Sequence, residues 1–306
     1  MQTFVVGDIT VRRISFIPDV TLSGPALSMT VEEIHDCQEW GAWCSSPDGH
    51  GLRIGITVTV IDAGDERIVV DPMGAADDFF RSRASAVDTQ KAAAVLLKSH
   101  EIPIESVTTV VMAHLDGIGL VAAYNVDNNS WSPFFPNARI LMHPIEIAFL
   151  RGQDIDDVEQ APQGLGAFRQ LLDTGHITPL TAPGAIAHGV TVEHTGGHSE
   201  GHCIVRIAAD KPDDAGTTPD LVMVGHLIVQ PLNISLGARE GLDFFPADAQ
   251  HWRDALCTES STLGTVLYGP LWPSPGAATA KPTAGGGWQL SPVSDSEVTS
   301  VASVSR

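Results

Sequence analysis

Hydrophobic and polar positions along the chain switch between the two periods that separate strands from helices. The first 22 residues (FVVGDITVRRISFI within them) alternate as strands do, and 23–51 is a loop-rich excursion holding Trp40 and Trp43 among polar breakers. Two strands follow within Arg53 to Gly74, and alanines, leucines and lysines at helical spacing predict a helix from about Asp88 to His100. The β-branched run Val107 to Val111 predicts a strand that enters a turn, with a helix beyond it. A strand at Arg139 to Met142 and a helix starting near Pro144 and Glu146 come next. Residues 152–175 are polar and glycine-bearing up to a predicted helix at Leu165 to Leu172, and read as a lid or a substrate-facing insertion. Strands are expected at 177–181, 190–194, 202–208 and 221–225, a helix from Ala247 to Glu259, and a last core strand at Thr265 to Tyr268.

Composition narrows the classes open to such a chain. With 306 residues, 43% of them hydrophobic, it can bury a sizeable core. No linker divides it, so the expectation is one domain over 1–290 and a disordered Ser/Val/Asp-rich tail over 291–306. No apolar run approaches the roughly 20 residues of a membrane helix, and the N-terminus alternates like a strand, so a soluble cytoplasmic protein is expected. A formal charge of −20 would repel a phosphate backbone and argues against nucleic acid as a partner. Four cysteines without a C-x-x-C pair (Cys37, Cys44, Cys203, Cys257) suit a reducing compartment; a disulfide or zinc clip between Cys37 and Cys44 is the minority alternative.

The most informative stretch is Val110-Val111-Met112-Ala113-His114-Leu115-Asp116-Gly117-Ile118-Gly119, a strand end that presents a histidine and, two residues on, a carboxylate. It resembles the H-x-H-x-D-H turn of the metallo-β-lactamase superfamily, and five further segments extend the resemblance. Arg53 to Gly74, with Asp71 and Gly74, is similar to that family's paired strands. His194 to His202 (HTGGHSEGH) resembles the turn that supplies its third histidine. Val222 to Pro231 resembles the strand that ends in its bridging aspartate, with His226 in that place, and Gly269 to Gly276 resembles its last turn, with Leu271 at the usual histidine. Trp131 to Leu150 is also similar to the segment that follows the metal turn in the hydrolase branch. The fold implied is α/β, a four-layer αβ/βα sandwich.

Laid on the family pattern without a gap, the chain keeps His114 and His198, has Asp116 at the second histidine and His226 at the bridging aspartate, and places Ile118, Gly119 and Leu271 at the positions private to the second metal. The losses are sorted: one metal's positions all retain donors, the other's are apolar or glycine. The resemblance therefore implies a single divalent ion, zinc foremost with iron or manganese as alternatives, held by His114, Asp116, His198 and His226. A neutral imidazole offers one lone pair, so His226 suits a site with no bridge to make. A gapped alignment, with Asp116 as the motif aspartate, leaves the second histidine missing instead. Asp71 reads as a residue that orients the turn; His194 and His202 read as supporting or core residues, and His143, His176, His188 and His251 as structural or surface ones.

Family chemistry implies a metal-activated water attacking an ester, lactone, lactam or thioester carbonyl. Four protein ligands would close a tetrahedral zinc, so catalysis asks for a metal that accepts more ligands or for His226 or Asp116 to swing aside and serve as base. The leading expectation is hydrolysis of a lactone or ester of a small, hydrophobic molecule. A non-hydrolytic cyclase, lyase or isomerase of secondary metabolism stands beside it, as does a metal-free binding protein. Trp40, Trp43, Trp131, Phe134, Phe135, Trp272 and the Phe244-Phe245 pair are candidate pocket walls, and a homodimer is open by family resemblance.

Overall fold

The computed structural model describes residues 1–72, 83–114, 120–152, 162–181, 183–209, 220–235, 237 and 243–293. In chain order its strands and helices begin with β1 (Gln2–Val6), β2 (Ile9–Ser23), α1 (Val31–Asp36), α2 (Gln38–Gly41), β3 (Gly51–Ala63) and β4 (Glu66–Val70). They continue with α3 (Arg83–Ser99), β5 (Thr109–Met112), β6 (Ala122–Asn125), β7 (Ser130–Pro133), β8 (Arg139–Met142), α4 (Pro144–Gly152) and α5 (Pro162–Asp173). The rest are β9 (Ile177–Pro179), β10 (Gly184–Ala187), β11 (Val190–His194), β12 (Cys203–Ile207), β13 (Leu221–Met223), α6 (Pro246–Leu263), β14 (Val266–Tyr268), β15 (Ala277–Pro282) and β16 (Trp288–Pro292).

Two seven-stranded sheets, ordered β1-β2-β3-β4-β5-β8-β9 and β10-β11-β12-β13-β14-β15-β16, form the two inner layers. The period-2 pattern decides which side chain goes where. In β4, Ile68 and Val70 enter the core between the sheets while Val69 faces the opposite way, towards a core that includes Ala93 and Leu97 of α3 and Phe168 and Leu171 of α5. In the second sheet Cys203, Val205, Leu221 and Met223 point inward, and Ile204 and Val222 pack outward on Ala249, Leu256 and Cys257 of α6. Both faces of the central strands are thus buried, which is why they read as continuous apolar runs. The layering is the expected αβ/βα sandwich.

Strand direction positions the site. β4, β5, β8 and β9 run parallel, so their C-terminal ends lie side by side and deliver Asp71, His114 and His143 to one edge. β13 and β14 are parallel as well, and the turns after them carry His226 and Leu271. The Cys203 amide donates to the Ala113 carbonyl at 2.9 Å, joining the two sheets where the metal turn leaves the first.

Four sequence expectations need correction. The helix expected after the metal turn is replaced, in the described part, by the antiparallel hairpin β6–β7, whose Asn-rich connection includes Asn129 at φ +52°. The excursion over 23–51 carries α1, α2 and a 3-10 turn at Gly24–Leu27; α1 is opened by a capping box in which Thr30 and Glu33 satisfy each other's amides. β10 was not anticipated, and neither were β15 and β16, which run past the expected start of the tail as far as Pro292. Part of the expected lid, 153–161, lies outside the described residues; the helix within that region spans Pro162–Asp173.

Candidate functional site

His114, His198 and His226, brought from three distant turns, meet in one cluster. Their ring centroids are 4.7 Å (His114–His198), 5.3 Å (His114–His226) and 5.4 Å (His198–His226) apart. Asp116, the remaining expected ligand, lies outside the described residues. His202, read from the sequence as a supporting or core residue, joins the cluster with its ring 6.0 Å from His114 and 5.8 Å from His198. All four imidazoles are buried.

The imidazoles of His114, His198 and His202 are held by neighbours that sequence reasoning did not single out. Glu146, at the N-terminal end of α4, is fully buried and accepts from His114 Nδ1 at 2.8 Å, from Ser199 Oγ at 2.8 Å and from the Gly201 amide at 3.1 Å. A carboxylate can only accept here, so the His114 proton sits on Nδ1 and the Nε2 lone pair is left for another partner. Ser199 and Glu146 share the same nitrogen of His114, which rules out reading Ser199-His114-Glu146 as a nucleophile, base and orienting acid in series.

On the other flank, Asp243 Oδ1 accepts a long bond of 3.4 Å from His198 Nδ1. Arg253 of α6 grips that carboxylate with Nη1 and Nη2, both at 2.7 Å. Burial pushes the Asp243 carboxyl up, but the hydrogen bonds from His198 and Arg253 and the Arg253 charge outweigh it and hold its pKa below the ordinary value. His202 has its Nδ1 2.7 Å from Thr195 Oγ1, while the Thr195 hydroxyl also reaches the His202 carbonyl at 3.1 Å. Burial, reinforced by the surrounding imidazoles and Arg253, drives the His202 pKa well below the histidine norm. Among the described residues its Nε2 has no hydrogen-bond partner, and a Cβ on Gly225 would stand 2.9 Å from that nitrogen. Gly225, at φ +54°, is therefore required on two counts.

Asp71, held at φ +39° at the end of β4, accepts at 2.7 Å from the amide of Ala113, the residue before His114. His143 lies stacked on His194, centroids 4.2 Å apart and rings parallel within 2°. Burial and His194 lower the His143 pKa against an opposing pull from Glu146. His176, His188 and His251 are exposed. Where the late histidine of the family pattern would stand, Leu271 packs with Val229, Leu27 and Ile56.

The described donors fit a metal ion in kind and spacing. Imidazole bonds of roughly 2.0–2.1 Å at tetrahedral angles put ring centres about 5 Å apart, as here. Closure is incomplete: among the described residues no group of three or more His, Cys, Asp or Glu side chains already converges as an ion requires. The ring centres are thus spaced as the ligands of one ion would be, although the described side chains do not converge on a common point.

Most of the candidate aromatic walls turn out to be core. Phe134 and Phe135 are buried beneath the first sheet with Trp131 against them, while Trp272, Trp40 and Trp43 pack under the second sheet and the α1–α2 excursion. The exceptions are Phe244, 63% exposed, and Phe245, 42% exposed. Their amides donate to the carbonyls of His198 and Gly197, each at 3.0 Å, which fixes them beside the third-histidine turn. Phe244 also meets Phe149 of α4 edge to face at 5.7 Å.

Solved structures place this arrangement. A crystal structure of the hydrolase AbOPH in the β-lactamase superfamily superimposes with a TM-score of 0.71 at 17% identity, covering 96% of this chain and 97% of that one. The dizinc quorum-quenching lactonase AidC, in complex with a homoserine product, gives 0.69 at 14% identity over 96% and 97%. A quorum-quenching N-acyl homoserine lactone lactonase gives 0.52 at 14% over 89% and 94%. No family model matches the sequence, and a search of curated proteins finds no match. The chain has the metallo-β-lactamase fold over nearly its whole length.

Proposed function

We propose that the protein is a metal-dependent enzyme of this fold that hydrolyses a lactone or ester of a small, hydrophobic molecule. The carrying observation is the meeting of His114, His198 and His226 from three distant turns, with His114 and His198 each backed by a buried carboxylate on Nδ1. That backing fixes the tautomer a metal ligand needs and raises its basicity. Burial of Glu146 among a histidine, a hydroxyl and an amide also favours a cation nearby, since an ionised carboxylate is costly in a low dielectric without positive charge. His114, His198 and His226, with Asp116, are the proposed holders of one divalent ion, zinc first.

When bound there, such an ion would polarise a substrate carbonyl and lower the pKa of a water towards ~7. The chain's own contribution is to hold the imidazoles in register, to keep bulk water from a cluster that is buried throughout, and to offer Asp116 or His226 as a proton acceptor. Structural neighbours named as hydrolases and lactonases are consistent with this reading. Four buried, free thiols suit a reducing, cytoplasmic setting.

The test is metal content followed by turnover. Protein prepared without chelator is expected to carry close to one equivalent of zinc, iron or manganese and to open generic lactones or aryl esters in a chelator-sensitive way. Less than about a tenth of an equivalent would indicate the binding protein instead. The packing of Leu271 against Val229 keeps a second reading open, since it removes a position that the family uses to manage the attacking water. Metal with no hydrolysis of any ester or lactone would move the assignment to a cyclase, lyase or isomerase.

A further inference from the structure

Arg253 is a buried cation in the middle of α6, outside every motif recognisable in the sequence, and it touches two separate limbs of the histidine cluster. Its two terminal nitrogens take both oxygens of Asp243, the carboxylate behind His198. Its Nε donates to the Leu227 carbonyl at 2.6 Å, inside the 3-10 turn Gly225–Ile228 that carries His226. Arg253 is 1% exposed and Asp243 is 6% exposed, so neither is free to seek water. We infer that Arg253 is a positioning residue for metal binding, locking His198 through Asp243 and His226 through Leu227 with a single guanidinium; the inference rests on the metal site proposed above.

Three physical steps support it. A planar fork fits a carboxylate bidentately and leaves Nε pointing sideways, so only arginine can serve both limbs at once; lysine, a point charge, must choose. The His198–Asp243 bond is long at 3.4 Å, so the direction of the Asp243 carboxylate, set by the fork, decides whether His198 keeps its proton on Nδ1. The Leu227 carbonyl lies in the short 3-10 turn that carries His226, and anchoring it to α6 ties the backbone beside His226 to the same helix. The opposite limb, His114 with Glu146, is held by Ser199 and the Gly201 amide.

The experiment compares the full-length native protein with Arg253→Gln, Arg253→Lys and Asp243→Ala. In chelator-treated samples at pH 8, long-range proton–nitrogen spectra of the imidazoles should find His198 protonated on Nδ1 in the native protein. All three variants should shift it towards the Nε2-protonated form. Zinc titration against a competing chelator should show affinity reduced roughly 10- to 100-fold. Combining Arg253→Gln with Asp243→Ala should weaken binding further than Asp243→Ala alone, because the Leu227 limb is lost as well. An unchanged His198 tautomer in Arg253→Lys or Arg253→Gln overturns the inference, as does unaltered zinc affinity in both. Should the glutamine variant fail to fold, Arg253→Lys carries the same expectations. Because the tautomer is read without metal, native protein that binds no zinc would sink the proposed function and leave this measurement to stand separately.

Discussion

The two halves of the site have diverged in opposite directions. Around His114, His198 and His226 the chain has gathered polar support: Glu146 with Ser199 and Gly201 on one side, Asp243 with Arg253 on the other. Around Leu271 it has done the reverse, packing Val229, Leu27 and Ile56 into a small apolar cluster. A fold that had merely lost its metals would have little reason to keep charged groups buried in one half while filling the other with hydrocarbon, because each buried charge costs stability unless something answers it. The contrast is the one expected of the proposed single-ion site.

The largest expected effect comes from removing the support on the histidine side. Glu146→Ala leaves His114 Nδ1, Ser199 Oγ and the Gly201 amide without their acceptor in a dry interior, and should cost about 3–5 kcal/mol. Denaturant unfolding of the metal-free variant measures it. Glu146→Gln, which keeps an acceptor oxygen, should recover part of that loss. A cost below about 1 kcal/mol would mean that the buried cluster is not a stressed polar network, and the contrast between the halves would lose its basis.

The apolar half is probed by Leu271→His, which restores the family's residue type at that place. A polar ring forced among Val229, Leu27 and Ile56 should lower stability by about 1–3 kcal/mol. No second equivalent of zinc should appear, because Ile118 and Gly119 offer no donors either. Elemental analysis giving two ions per chain in this variant, or in the native protein, would show that the second half is dormant rather than rebuilt.

What the sequence disclosed, and what it hid, follows the same division. His114, His198 and His226 were legible through the resemblance of their turns to those of the metallo-β-lactamase superfamily, and the central strands because they are apolar on both faces. Glu146 was visible as a residue but read as a helix-start acid, the role its place in the first turn of α4 suggests; only the fold shows its oxygens turned to His114. Asp243 and Arg253 carry no pattern at all, since their meaning depends on α6 crossing behind the third-histidine turn. β15 and β16 were hidden because they pair through Ala278 and Ala280, residues whose propensity favours helix and whose burial is set by the neighbouring strand. The alanines Ala122 and Ala123 misled in the same way at β6, although the run Asn125 to Asn129 held the turn signal.

Acid sensitivity refines the comparison further. Burial and the neighbouring imidazoles depress the His202 pKa, so His202 takes up its proton far more readily in the unfolded chain than in the folded one. Its contribution to stability is therefore complete above the ordinary histidine value of ~6.5 and drains away as pH falls below it, until the depressed folded value is reached. Melting temperatures of chelator-treated protein should fall over that window, and His202→Gln, which does not titrate, should flatten the slope. Parallel profiles for the two proteins would shift the source of acid sensitivity elsewhere in the cluster.

The smallest effect on folding should come from the rim. Phe244 is mostly exposed, so Phe244→Ala removes little beyond its edge-to-face contact with Phe149, about 0.5–1.5 kcal/mol at most. Its amide still bonds the His198 carbonyl in the variant, and the cluster behind it should be undisturbed. If the ring borders the path of a hydrophobic substrate, KM should rise roughly three- to tenfold for long-chain lactones or esters, equivalent to about one or two buried methylenes. Short-chain substrates, which do not reach the ring, should keep their KM, and kcat should hold for both. An equal loss on short and long chains would place Phe244 with the supports of His198 rather than with the substrate, moving this aromatic pair from the open rim to the polar half of the site.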